Sequence, residues 1–151
     1  MCLEVTTRDT EEMLALPPGK LVPAWKVVGL APDGDLRPPY CKNHARYHKG
    51  WNSDPCPAPL TKNAFRHRHC LSAGVFHLFR THAAAEKFRF PQGNETLVRC
   101  WFYPGDVRGA NSEQVAVVRF YLGEAAYRRA QRRLGVPARV YRRNGGRPRG
   151  R

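Results

Sequence analysis

Ten residues, Glu113 to Leu122, constrain this chain more than any others, because their alternation reads as a β-strand. Val115 and Val117 share a face with Arg119 and Tyr121. Ala116, Val118, Phe120 and Leu122 form a more uniform apolar face, which is expected to meet the core under covering helices. Other segments supply neighbours. Ala24 to Leu30 sets Trp25, Val27 and Gly29 against Lys26, Val28 and Leu30, and Pro32-Asp33-Gly34-Asp35 turns the chain back through Leu36 as a hairpin. Gly74 to Phe79 groups Val75, His77 and Phe79. Thr96 to Tyr103 sets Leu97, Arg99, Trp101 and Tyr103 against Thr96, Val98, Cys100 and Phe102, before Pro104-Gly105 turns it. Helical signals sit between and after these runs. Asp9 with Glu12 makes a capping-box pattern ahead of Met13, Leu14 and Leu16, and Pro17-Pro18-Gly19 stops that helix. Thr81 can cap a short helix through Ala83, Ala84, Ala85 and Phe88. Gly123 to Leu134 carries Ala125, Ala126, Tyr127, Ala130 and Leu134 as an apolar stripe, ended by Gly135 and Pro137. The pattern predicts one small α+β domain over residues 1–134, mainly antiparallel sheet with two or three short helices, and a basic tail over 135–151.

A chain of 151 residues holds one core comfortably, and 42% apolar residues are enough to offset the entropy of ordering it. No run approaches the roughly 20 apolar residues that span a bilayer. The start, Met1-Cys2-Leu3-Glu4-Val5, lacks the basic and apolar regions of a secretory signal, so a cytoplasmic protein is expected. Five widely spaced cysteines (Cys2, Cys41, Cys56, Cys70 and Cys100) then read as reduced thiols rather than a disulfide framework.

Charge is distributed unevenly. The formal net charge is +14, and ten of those charges are arginines placed after Glu124, the last acidic residue. Arg128, Arg129, Arg132 and Arg133 lie in the helical stretch; Arg139, Arg142, Arg143, Arg147, Arg149 and Arg151 follow in a Gly/Pro-containing tail. Tyr127 and Tyr141 are placed to stack on bases. Such a surface neutralises phosphates and releases their counterions, so it points to a nucleic acid or another polyanion, bound without sequence preference and weakened steeply by salt. DNA, RNA, an acidic protein or an anionic lipid surface would each satisfy the charge, and the plainer reading is a solubilising tail.

From Pro38 to Cys70 periodicity fades, and prolines mix with Gly, Asn, His and Cys in a long irregular excursion. Loops of this length are functional, disordered or held by something such as a metal. Cys41-x2-His44-x3-His48-x7-Cys56 offers two thiolates and two imidazoles, a donor set suited to a structural zinc, with His67, His69 and Cys70 as competing donors. A polar loop with incidental histidines is the alternative. Two residues are candidate catalysts. Removal of Met1 would free the α-amino group of Cys2 to act as base for its own thiol, whereas a Cys packed as a small hydrophobe is the plain alternative. His77, mid-strand, suits a general base if Glu113 or Tyr40 stands beside it, and otherwise reads as a hydrogen-bonded structural residue.

The order of elements resembles a scattered family of short, uncharacterised bacterial and phage proteins. The shared features are Met1-Cys2-Leu3, Trp25-Lys26-Val27, Pro39-Tyr40 with Gly50-Trp51, Gly74 with Phe76-His77, Ala83-Ala84-Ala85 and Gly105. Val75 between Gly74 and Phe76, and the Cys and His content of residues 41–69, depart from that pattern. The resemblance implies that residues 1–122 form the domain and that the arginine tail is a local addition; taken with the start of the chain, the expected location is the cytoplasm of a bacterial host. The resulting expectation is an accessory protein of phage or mobile-element origin, without catalytic activity, that binds nucleic acid or another polyanion through its arginine-rich helix and tail. Its rivals are a nucleotide- or nucleic-acid-modifying enzyme, similar to ADP-ribosyltransferases or dependent on an N-terminal Cys, using His77 or Cys2, and an inhibitor that docks on a host protein.

Overall fold

The computed structural model describes residues 3–39, 45–58, 70–71, 74–89 and 94–135. In chain order its elements are β1 (Leu3–Glu4), α1 (Thr7–Leu14), β2 (Val22–Leu30), β3 (Leu36–Arg37), β4 (Gly50–Ser53), β5 (Cys70–Leu71), β6 (Phe76–Phe79) and α2 (His82–Phe88), followed by β7 (Glu95–Phe102), a 3-10 turn at Pro104–Asp106, β8 (Val107–Ala110), β9 (Gln114–Val117), β10 (Arg119–Leu122) and α3 (Glu124–Arg133). All pairings among the described residues are antiparallel, as the α+β reading requires.

The main sheet runs β4-β10-β7-β2-β6-β9-β8, with β3 also on β2, and β1 pairs β5 separately. Its spine is β2, matched to β7 from Val22↔Phe102 to Gly29↔Glu95. On its other edge β2 pairs β6 at Trp25↔Phe79 and, beyond the Asp33–Gly34 turn, β3 at Leu30↔Leu36. The expected hairpin is therefore present.

The long strand expected over Glu113–Leu122 is instead two strands. Val118 leaves the ladder: its amide donates to the Asp106 carbonyl at 2.9 Å and its carbonyl accepts from the Asp54 amide at 3.0 Å. This one-residue irregularity shifts the alternation. Val115 and Val117 face the core before it, Phe120 and Leu122 after it, while Ala116, expected to point inward with them, pairs with His77 on the opposite face. The break also bends the sheet. In a flat sheet β9 and β10 would stand four strand spacings apart, about 19 Å. A single linking residue spans only about 7 Å, so the sheet curls on itself, with the main core inside the curl.

Ala24, Val28, Leu78, Val98, Phe102, Val115, Phe120 and Leu122 fill that interior, and Met13 of α1 with Tyr127, Ala130 and Leu134 of α3 cover it. A second cluster lies on the outer face, where Ala84 and Ala85 of α2 pack on Val27, Phe79 and Leu97. The expected cap of α1 is corrected by one turn. The Thr6 hydroxyl accepts from the Asp9 amide, so Asp9 sits inside the helix and Thr6 is the cap. Thr81 caps α2 as expected, accepting from the Ala84 amide at 3.1 Å. The irregular reading of residues 38–70 is corrected at Gly50–Ser53, where β4 pairs the whole of β10. Asn52 braces its entry, accepting from the His48 amide and donating to the His48 carbonyl, both at 2.8 Å.

Candidate nucleic-acid interface

Helix α3 follows from its composition. Good helix formers build it, Tyr127, Ala130 and Gln131 turn inward, and Gln131 Nε2 donates to the Gly34 carbonyl at 2.6 Å. Arg129, Arg132 and Arg133 are exposed, the last two in the final turn, where the carbonyl end of the helix dipole favours cations. Arg128 is held by Glu124 one turn back, Nε at 3.0 Å and Nη2 at 2.6 Å. Hydrogen bonding and charge from Arg128, with Lys49 nearby, keep the Glu124 carboxyl below its usual range. Tyr127 does not serve as a stacking ring. It is buried, and its hydroxyl accepts from the Leu36 amide at 3.1 Å and lies 3.1 Å from the Tyr47 carbonyl and 3.3 Å from Asp35 Oδ1. Burial pushes its phenol up to about 12. Arg139, Tyr141, Arg142 and Arg143 lie outside the described residues.

Of the zinc donor set, Cys41 and His44 lie outside the described residues, as does Cys2. His48 and Cys56 are both exposed, and the Cys56 amide is held by Asp54 Oδ1 at 2.9 Å. Among the described residues no three His, Cys, Asp or Glu side chains gather as a metal site. The only thiol shown buried among them is Cys100, pushed up to about 12 by its surroundings.

His77 is half-buried on β6, on the face away from the main core, opposite Ala116. Its carbonyl accepts from Lys26 Nζ at 2.7 Å. Glu113, weighed as its partner, holds Lys87 at 3.2 Å; Tyr40 lies outside the described residues. A cleft of about 230 Å³ is lined by Glu12, Met13, Leu16, Val22, Pro23, Arg80 and Phe102, and His77 is not among them. Arg80 there is already paired with Asp9 at 3.1 Å and Glu12 at 3.6 Å.

Sequence reasoning missed a set of residues on the outer face of the sheet. The alternation that sends Val98, Cys100 and Phe102 inward sends Arg99, Trp101 and Tyr103 outward, and β10 adds Arg119 and Tyr121 in the same sense. Register places Trp51 beside Tyr121 and Tyr121 beside Trp101. Helix α2 stops short of them: its first residue, His82, meets Trp25 edge-on at 4.7 Å, and Trp101 lies one register step past Trp25, opposite Pro23. Trp51 and Tyr103 stack at 5.4 Å with an interplanar angle of 19°, and Tyr121 meets Trp51 edge-on at 5.4 Å. The Arg119 guanidinium lies 4.6 Å from the Trp51 ring and 5.7 Å from Tyr103, anchored by Asp106 at 2.7 Å, and Arg99 lies 4.8 Å from Trp101. Half of the signal was readable in the 96–103 alternation; Trp51 was hidden in a segment without periodicity.

Fold and site together define a small antiparallel α+β protein with an arginine helix on one side of its sheet and an aromatic, arginine-lined face on the other. No helix among the described residues is long and apolar enough to cross a membrane. Comparison with protein-family models, curated proteins and solved structures finds no match to this chain.

Proposed function

We propose that this protein is a small accessory protein that binds nucleic acid through the solvent face of α3 and the arginines that follow it. One observation carries the reading. By turning Tyr127, Ala130 and Gln131 inward, α3 leaves Arg129, Arg132 and Arg133 in water, immediately ahead of six further arginines in the sequence. Phosphates are the ligands such a cluster favours, since each one neutralised releases counterions.

The test is retention on DNA and RNA across a salt series. Deleting residues 136–151 is expected to weaken retention and to flatten the plot of log affinity against log salt, by about 0.7 per lost phosphate contact on a single strand. His77→Ala is expected to leave retention intact. Unchanged retention and slope after the deletion would overturn the proposal.

A further inference from the structure

We propose that the outer sheet face formed by Trp51, Trp101, Tyr103 and Tyr121, with Arg99 and Arg119, is a stacking platform for the unpaired bases of single-stranded nucleic acid. This rests on the polyanion reading for the ligand's charge, but it names a different surface and one form of the ligand.

Trp51, Tyr121 and Trp101 on three neighbouring strands, with Tyr103 just past the end of β7, converge on the side of the sheet that α2 leaves uncovered. Trp51 remains 38% exposed at the edge strand, one of two large apolar residues exposed among those described, the other being Leu21. Aromatic area left in water forgoes about 25 cal/mol for each Å², so folding alone does not favour its position. The rings are also fixed in direction. Trp51 and Tyr103 lie nearly parallel, and Arg119, pinned by Asp106, holds its guanidinium against both. A base can extend this stack, because every base has a π-face, and Arg99 and Arg119 beside the rings supply positive charge for the phosphates that join stacked bases. Duplex DNA shows only base edges in its grooves and conceals its ring faces, so this surface is matched to unpaired strands. A protein partner could use the same rings as anchors, but the chain's excess of positive charge is complementary to a phosphate backbone.

The test uses the full chain with an oligothymidylate of about 12 nucleotides, within the ~4–16 that a small fold covers, an oligouridylate of equal length, and a duplex of equal length. Tighter binding of the single strands than of the duplex is expected, with quenching of tryptophan fluorescence. Trp51→Leu keeps an apolar residue on β4 and is expected to weaken single-strand binding about 5- to 150-fold, the value of one stacked base. Duplex binding and the salt slope should not change, and Trp51→Phe should restore most of the loss. Deleting residues 136–151 should weaken both ligands and preserve the preference. Equal affinity for strand and duplex, or equal losses for both in Trp51→Leu, would overturn the platform and leave the arginine reading standing. Failure to bind any of the three would overturn both.

Discussion

Lys26 shows what a single inward-facing charge costs. It is only 8% exposed, its ammonium donates to the His77 carbonyl and lies 5.5 Å from the Tyr47 ring, and burial lowers its pKa from 10.5 to about 8. Below pH 8 both the folded and the unfolded chain carry the proton, and the folded state bears the whole desolvation cost, about 3 kcal/mol at 1.36 kcal/mol per pKa unit. As pH rises past 8 the folded state releases the proton before the unfolded chain does, so stability rises with pH. Cys100, raised from 9.0 to about 12 by burial, works in the opposite direction, because above pH 9 the unfolded thiol ionises while the folded one keeps its proton. Tyr127, raised from 10.0 to about 12, adds to that fall above pH 10. Denaturant titrations should therefore show stability climbing from pH 8 to a maximum near pH 9, and the climb should vanish in Lys26→Met. A wild-type curve that is flat over that interval would contradict the assignment. At the same scale, Tyr127→Phe should cost about 1–3 kcal/mol, because the Leu36 amide and the Tyr47 carbonyl lose a buried partner. Alternation alone placed Lys26 on one face with Val28, without saying which face is inner. The apolar stripe of α3 included Tyr127, but the partners of its hydroxyl lie 80 to 92 residues away in sequence, so no local pattern could name them.

At the scale of elements, most strands and all three helices were legible, because alternation and capping are local properties. The break at Val118 was not. Val118 is itself apolar, so the side-chain pattern runs on through it, and the groups that pull it out of the ladder, the Asp106 carbonyl and the Asp54 amide, come from other segments. Strand β4 was lost for the opposite reason: four residues, Gly-Trp-Asn-Ser, are too few to establish a period, and only pairing with β10 makes them a strand. Two glycines test how these joins are held. Gly50 at the start of β4 and Gly74 before β6 have φ of +89° and +74°, so a side chain at either is strained by about 1–2 kcal/mol. A Cβ on Gly50 meets nothing within 4 Å, whereas one on Gly74 would lie 2.7 Å from both the Ala58 nitrogen and the Cys56 oxygen. Gly50→Ala should thus cost about the backbone term alone. Gly74→Ala should cost more and detach the 56–58 segment from the Gly74 backbone, seen as faster amide exchange at Ala58, which now donates to the Gly74 carbonyl at 3.0 Å. Equal losses from the two substitutions would refute this packing account.

For the whole molecule, the sequence made the charge layout plain, since ten net positive charges after the last acidic residue can be counted without coordinates. The curl of the sheet could not be counted in that way. It depends on β9 and β10 being continuous in the chain yet separated by three intervening strands in the sheet, a fact of topology rather than of composition. That curl separates two surfaces. Tyr127, Ala130 and Leu134 of α3 pack on the inner side of the sheet, while Trp51, Trp101, Tyr103 and Tyr121 occupy the outer side. Perturbations at groups that share no partners add in free energy to within about 0.5 kcal/mol. If the arginine segment attracts phosphate and the aromatic face stacks bases, then deleting residues 136–151 and replacing Trp51→Leu should weaken single-strand binding independently. The double variant should lose the product of the two separate factors. Only the deletion should reduce the salt slope, and only the Trp51 change should reduce the preference for a single strand over a duplex. A double variant no weaker than the worse single one would mean that both changes act through one contact, and the separation of phosphate attraction from base stacking would have to be given up.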